Sequence, residues 1–134
     1  MKYFTHKELC RSTTADKYKI ANTPDTQVLK ALTELTEKLL DPIREKWGKP
    51  INVNSGYRCP RVNALVGGKP SSQHLRGMAA DITVGSTTAN KLLYKMIKDG
   101  GFDYDQLIDE SNYKWIHISY DWTKPKQRHM AFKL

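Results

Sequence analysis

Apolar residues recur at helical spacing in the first third of the chain. From Val28 onward they stand three or four positions apart, which places them on one face of a single long helix. Thr23 is the expected N-cap with Pro24 in the first turn, Pro42 is expected to kink the helix, and Gly48 ends it. We interpret this helix as scaffold. Its apolar stripe consists of Val28, Leu32, Leu35, Leu39, Ile43 and Trp47.

Two further helices are expected on either side of it. Thr5 and Glu8 have the spacing of a capping box, which predicts a short helix near the start of the chain. The stretch from Ala15 to Ala21 lacks periodicity and is expected to be irregular. Thr87 or Thr88 is the expected cap of a later helix. The residues of that helix expected to face the core are Leu92, Leu93, Met96 and Ile97.

Alternation of apolar and polar residues predicts strands in the rest of the chain. In the segment from Trp115 to Tyr120, His117 should lie on the opposite face from Ile116 and Ile118. The order of elements predicts an α+β fold with helices packed on a mostly antiparallel sheet. The predicted strands are Ile51 to Ser55, Ala79 to Val84, Gln106 to Asp109, Trp115 to Tyr120, and Met130 to Leu134.

Length and charge restrict the classes of protein to consider. The chain has 134 residues, which suits a single domain over residues 1–134, and we expect a monomer. The formal net charge of +8 favours anionic partners, but no nucleic-acid-binding motif accompanies it, so we expect no nucleic acid partner. The densest basic cluster, Lys124 to Arg128, is interpreted as a solvated surface. No stretch is long and apolar enough to span a membrane.

His74, Asp81 and His117 form a candidate metal site. His74 and Asp81 stand seven residues apart in a loop and the strand that follows it, and His117 is on a second strand. Two imidazoles and one carboxylate are a ligand set used by catalytic zinc, which keeps a fourth position open. For His117 alone, a hydrogen-bonded core histidine would be the better interpretation. The three residues together favour a Zn²⁺ site.

The residues around these ligands resemble the zinc D-alanyl-D-alanine carboxypeptidase family. Ser72 to Asp81 has the pattern S-x-H-x-x-G-x-A-x-D, and Trp115-Ile116-His117 follows later in the chain. Upstream stand Ser55-Gly56-Tyr57-Arg58, Asn63 and Gly67-Gly68. The family includes bacterial carboxypeptidases, phage endolysins and the vancomycin-resistance dipeptidase, and the hedgehog signalling domain shares its fold. The resemblance covers most of the chain.

The resemblance implies a hedgehog-like fold and a zinc peptidase that hydrolyses peptidoglycan stem peptides, as a carboxypeptidase or an endopeptidase. His74, Asp81 and His117 match the family's zinc ligands. Arg58 matches an upstream arginine that helps to bind substrate, and a guanidinium suits a peptide carboxylate or carbonyl. Ser72 matches the serine of the motif, where its hydroxyl would contact substrate or order the loop.

The sequence departs from the family's pattern at the general base. Many relatives have a glutamate three residues before the last histidine, where this chain has Lys114. Other members have an acidic residue further upstream, which makes Glu110, seven residues before His117, our candidate to take a proton from the attacking water and pass it to the leaving amine. The alternative for Glu110 is an ordinary carboxylate of a hairpin loop. Asp109 is the second choice, although strand alternation should turn it the other way. The alternative is a non-catalytic zinc-containing module that binds wall peptide or a protein partner.

The N-terminal residues lack the apolar run of a secretory signal. We therefore expect synthesis in the cytoplasm and action on the cell wall after lysis or another form of release. A phage or prophage origin would fit this expectation.

Overall fold

A five-stranded sheet organises the fold. The computed structural model describes the whole chain, Met1–Leu134. Its strands lie in the order β1-β2-β4-β3-β5, and every neighbouring pair is antiparallel except β3 and β5, which are parallel. The predicted α+β class is therefore confirmed. The strands are β1 Asn52–Ser55, β2 Ala79–Thr83, β3 Gln106–Glu110, β4 Trp115–Ser119 and β5 Met130–Lys133.

The two faces of the sheet have different compositions. Ile82 pairs with Ile116 and Leu107 pairs with Ile118, and all four side chains are buried in the core. The opposite face carries the functional residues, because directly paired residues share a face. Residues paired on that face are Asp81 with His117, Ile108 with His117, and Glu110 with Trp115. The predicted alternation along β4 is thus confirmed.

Helices cover the apolar face of the sheet. The predicted stripe is buried from Val28 to Ile43. A π-helical segment, Thr36–Leu40, connects α3 to α4 just before Pro42, so the chain stays helical up to Trp47. No helix is long and apolar enough to cross a membrane. The helices are α1 His6–Cys10, α2 Thr13–Lys17, α3 Thr26–Leu35, α4 Asp41–Trp47, α5 Pro60–Leu65 and α6 Thr87–Asp99.

Several predicted helix boundaries were wrong, each because a nearby side chain caps the helix better. Ser12 accepts the N–H of Ala15 and starts α2 at Thr13, so the helix runs to Lys17 and into the stretch from Ala15 that was expected to be irregular. Asp25, rather than Thr23, caps α3. Ser86 caps α6 ahead of the two threonines.

Leu92 was also placed wrongly. It was expected in the core with its neighbours on α6, but its side chain is 59% exposed. Leu93 and Ile97 on the same helix are fully buried. The helix therefore rests on a narrower apolar face than the sequence suggested.

A β-bulge in β1 turns Ser55 toward the functional face. Val53 pairs with Ile82 in the core, but the next paired residue is Ser55, opposite Asp81. The extra residue, Asn54, shifts the alternation by one position, which is the usual effect of a bulge. Ser55 consequently lies on the same side of the sheet as Asp81.

The turn between β3 and β4 is held in an unusual conformation. Ser111, Asn112 and Tyr113 all have positive φ angles, of 50°, 56° and 61°. Such angles are uncommon for residues other than glycine, and they persist only where surrounding contacts fix them. The buried Asn90 of α6 donates to the carbonyls of Tyr113 and Lys114, at 2.8 and 3.1 Å.

We predict that Asn90→Ala lowers the free energy of unfolding by about 2 kcal/mol, because it removes the side-chain donor to the carbonyls of Tyr113 and Lys114 and the acceptor of the Val84 N–H. The turn would loosen at the end of β3. Urea unfolding measures the effect, with Lys91→Ala as the control because Lys91 is the exposed neighbour on the same helix. Equal stability of the two variants would contradict this role of Asn90.

Candidate metal centre

His74, Asp81 and His117 converge at one point on the functional face. The Oδ1 atom of Asp81 lies 3.3 Å from Nε2 of His74 and 3.1 Å from Nδ1 of His117. One donor atom from each residue lies within 4.8 Å of the other two. The side chain of His74 is 3% exposed, whereas those of His117 and Asp81 are 12% and 11% exposed, so the cluster is reached from the side of His117 and Asp81.

A backbone carbonyl orients His74. Its Nδ1 lies 2.7 Å from the carbonyl oxygen of Gly56, so Nδ1 carries the proton and Nε2 presents a lone pair to the cluster. This arrangement is typical of histidines that bind metals. Gly56 permits it, because a Cβ atom there would lie 2.1 Å from the carbonyl oxygen of Leu9.

Ser72 orders the segment that carries His74. Its Oγ accepts the backbone N–H of His74 at 3.2 Å and caps the 3₁₀ helix Gln73–Arg76. Gly77 ends this helix with a φ of 71°, and a Cβ atom there would lie 2.9 Å from Val28. Of the two roles considered for Ser72, these contacts support ordering of the loop.

Arg58 holds the other oxygen of Asp81. Its Nη2 donates to Oδ2 of Asp81 at 3.3 Å. Its Nε donates to Oγ of Ser55 at 3.1 Å, and its Nη1 donates to Oδ1 of Asn63 at 3.3 Å. Asn63 in turn donates to the carbonyl of Lys69 at 3.0 Å. Arg58 therefore orients the carboxylate as well as lining the cleft.

The surroundings of Asp81 keep it ionised. Burial alone would raise its pKa, but the hydrogen bond with His117 and the proximity of His74 outweigh that effect and hold the pKa well below its ordinary value. A carboxylate must be deprotonated to bind a metal. Asp81 is thus prepared as an anionic ligand at all physiological pH values.

These residues fit a zinc ion. Ligand atoms at about 2.1 Å from a tetrahedral metal stand about 3.4 Å apart. The two measured separations from Asp81 Oδ1, 3.3 and 3.1 Å, are close to that spacing. Nitrogen and carboxylate donors with one open side also match the ligand preference of catalytic zinc.

Glu110 and Asp109 lie on opposite faces at the end of β3. Glu110 lines the same cleft as the three candidate ligands. Burial raises its pKa, and the negative charge of Asp81 raises it further. Asp109 is 3% exposed on the core face and accepts the backbone N–H of Tyr113. The structure therefore removes Asp109 as the second-choice base, because its carboxylate is committed to the turn.

The candidate centre opens into a cleft of about 1070 Å³. Part of its surface is apolar and comes from the sheet, where Ile108, Trp115 and Phe132 lie. Basic residues from two loops form much of the remainder: Lys69, Arg76, Lys124, Lys126 and Arg128. The cleft is large enough for several residues of a peptide.

One supporting cluster in the cleft could not be found from the sequence. Arg128 donates to Asp105 through Nε, Nη2 and its backbone N–H. Asp105 also accepts from Nε2 of Gln73 at 3.0 Å, and Gln73 directly precedes His74. Burial would raise the pKa of Asp105, but these hydrogen bonds outweigh it and lower the pKa. No local sequence signal joins residues this far apart.

We predict that His74→Ala and His117→Ala each weaken zinc binding by more than about 100-fold, since each removes a ligand atom. Zinc content after dialysis against a chelator measures the loss. His129→Ala is the control, because His129 is exposed and pairs with Asp103 away from the centre. Stoichiometric zinc in His117→Ala would show that the ligand assignment is wrong.

We predict that Asp105→Asn lowers the free energy of unfolding at pH 7 by about 2 kcal/mol. A lowered folded-state pKa stabilises the fold above the unfolded value of about 3.9, and the contribution is lost as the pH falls through the folded-state pKa. The difference in the free energy of unfolding between Asp105→Asn and the unmodified protein should therefore become smaller at acidic pH. Urea unfolding at several pH values tests this. Asp103→Asn, at an exposed carboxylate, should show little effect at any pH.

Comparisons with known proteins show the family to which the chain belongs. A family model described as peptidase M15 matches residues 2–119. A zinc D-Ala-D-Ala carboxypeptidase of Streptomyces albus G is 46% identical over 48 residues, which are 35% of this chain. The matched region spans 19% of the length of that relative. Because the family model covers most of the chain, the protein belongs to the peptidase M15 family.

Proposed function

We propose that this protein is a zinc peptidase that hydrolyses peptidoglycan stem peptides. The observation that carries the proposal is the placement of a His-Asp-His cluster and an unpaired carboxylate, Glu110, in one cleft. The similarity to a zinc D-Ala-D-Ala carboxypeptidase supports both the metal and the substrate class.

Each residue of the centre has a distinct task in this reaction. Zinc held by His74, Asp81 and His117 would lower the pKa of water to about 7 and polarise a carbonyl group. Glu110 accepts the proton of the attacking water and returns it to the nitrogen of the leaving amine. The pKa of Glu110 is raised toward neutral pH, which suits a group that must both accept and donate a proton.

Arg58 contributes to substrate binding while it orients Asp81. A guanidinium has five N–H donors, and single bonds to Ser55, Asn63 and Asp81 leave one on each terminal nitrogen. Arg58 lines the cleft, so these donors suit a carbonyl or carboxylate of the peptide. Ser72 acts mainly by holding the backbone of His74.

The non-catalytic alternative accounts less well for Glu110. A module that only bound wall peptide would have no need for a half-buried carboxylate beside the metal ligands.

The proposal extends to the site of action: the protein works as a monomer on the cell wall, which it reaches after lysis or another form of release.

The direct test is to incubate the zinc-loaded protein with purified peptidoglycan and identify released fragments by mass spectrometry. Loss of a terminal D-alanine would identify a carboxypeptidase, whereas separated cross-links would identify an endopeptidase. His74→Ala serves as the control. The enzyme proposal fails if walls of several chemotypes yield no metal-dependent fragments.

We predict that Glu110→Gln lowers kcat by about 100- to 10,000-fold, because it removes the proton acceptor. Zinc content and the free energy of unfolding should change little. Asp109→Asn should do the reverse and chiefly destabilise the fold, because Asp109 holds the turn through Tyr113. Steady-state kinetics and urea unfolding of both variants separate the two roles. Full activity in Glu110→Gln would exclude it as the base.

A further inference from the structure

The loop from Asp121 to Arg128, which we call the lysine loop, has a defined internal structure. The side chain of Gln127 accepts the N–H of Asp121 and donates to its carbonyl, both at 2.8 Å. The Asp121 carboxylate accepts the N–H and hydroxyl of Thr123. Gln127 and Asp121 are both 8% exposed. These bonds close the loop at its base.

Arg128 fastens the same loop to the sheet. Its guanidinium pairs with Asp105, whose side chain is only 4% exposed, at 2.7 Å. Asp105 also binds Gln73, so the lysine loop is connected to the segment that carries the ligand His74. The lysine loop therefore has a fixed position relative to that segment.

The lysine loop places cations in the cleft that have no partner in the protein. Lys124 and Lys126 line the cleft, and they are joined by Lys69, from the loop before the 3₁₀ helix, and by Arg76, the last residue of that helix. All four are exposed, and none forms an ion pair with a carboxylate. The sequence alone suggested a solvated basic surface, but the fold directs this charge toward the candidate centre.

The carboxylates of the cleft are already committed to other groups. Asp105 pairs with Arg128, Asp121 binds Thr123, and Asp81 belongs to the metal centre. The four exposed cations without an ion pair therefore outnumber the two carboxylates of the cleft that lack a cationic partner, Glu110 and Asp121. A substrate that brings an anionic group to this region would complete the charge pairing.

We propose that the lysine loop, with Lys69 and Arg76, binds a free carboxylate of the peptide substrate and so selects acidic stem peptides. This inference rests on the proposed peptidase function, because the cations share their cleft with the reacting centre. Lysine is a flexible point charge, so the loop selects for charge without demanding one fixed carboxylate geometry.

Binding to matched peptides tests the selection separately from catalysis. Two fluorescent stem peptides are compared by anisotropy, one with a free glutamate carboxylate and the other with the corresponding amide. The test variant is Lys124→Gln/Lys126→Gln. The control is Lys91→Gln/Lys98→Gln on the exposed side of α6, which removes the same number of positive charges. Each is measured at low and high salt.

The unmodified protein should bind the acidic peptide about fivefold more tightly than the amide, and high salt should reduce the difference. Lys124→Gln/Lys126→Gln should abolish the preference and, in kinetics, raise KM more than it lowers kcat. The control should keep the preference. Equal binding of both peptides by the unmodified protein, or loss of preference in the control, would overturn the inference.

A phosphate-rich wall polymer is the other source of anionic groups. Poly(glycerol phosphate) is therefore added as a competitor. Suppose that Lys124→Gln/Lys126→Gln loses binding to the polymer, while neither it nor the unmodified protein prefers the acidic peptide. The lysine loop then does not bind a peptide carboxylate, and the inference is wrong. If the protein discriminates between the peptides but hydrolyses no peptidoglycan, the proposed function is wrong and the binding inference stands. If it hydrolyses peptidoglycan but binds both peptides equally, the proposed function stands and the binding inference is wrong.

Discussion

The carboxylate of Asp81 is the interaction on which the rest of the centre depends. One oxygen faces His74 and His117, and the other is held by Arg58. A buried carboxylate without partners would take up a proton, but these contacts keep it charged. Strands β1, β2 and β4 supply Ser55, Asp81 and His117 on one face, so the sheet itself sets the positions of the charged groups.

Backbone groups do much of the orienting around that carboxylate. The carbonyl of Gly56 fixes which nitrogen of His74 faces the cluster, and a glycine is needed because Leu9 approaches so closely. At the other end, the αL turn held by Asn90 and Asp109 sets the end of β3, where Glu110 stands. Rigid supports of this kind keep catalytic groups within the narrow tolerances that a reaction requires.

In our proposals, the cleft combines a chemical centre with a separate group of residues that selects the substrate. The candidate ligands Asp81 and His117 lie on the sheet with Glu110, and His74 lies on the 3₁₀ helix that precedes β2. The unpaired cations come from the lysine loop and from the segment around that helix. The Asp105 carboxylate connects the two, since it binds both Arg128 of the lysine loop and Gln73 beside His74. Substrate preference can therefore vary through loop residues while the sheet that holds the centre stays unchanged.

The sequence by itself determined the α+β class, the buried stripe of α3 and α4, the alternation along β4 and the three candidate ligands, because periodicity and ligand chemistry are local properties. Only the tertiary structure decided that Glu110 shares the cleft while Asp109 holds a turn, since that depends on strand register. It also decided the bulge at Ser55, the contact of Asn90 with the turn, and the position of the lysine loop. Each of these depends on contacts between segments far apart in the chain, which no local pattern specifies.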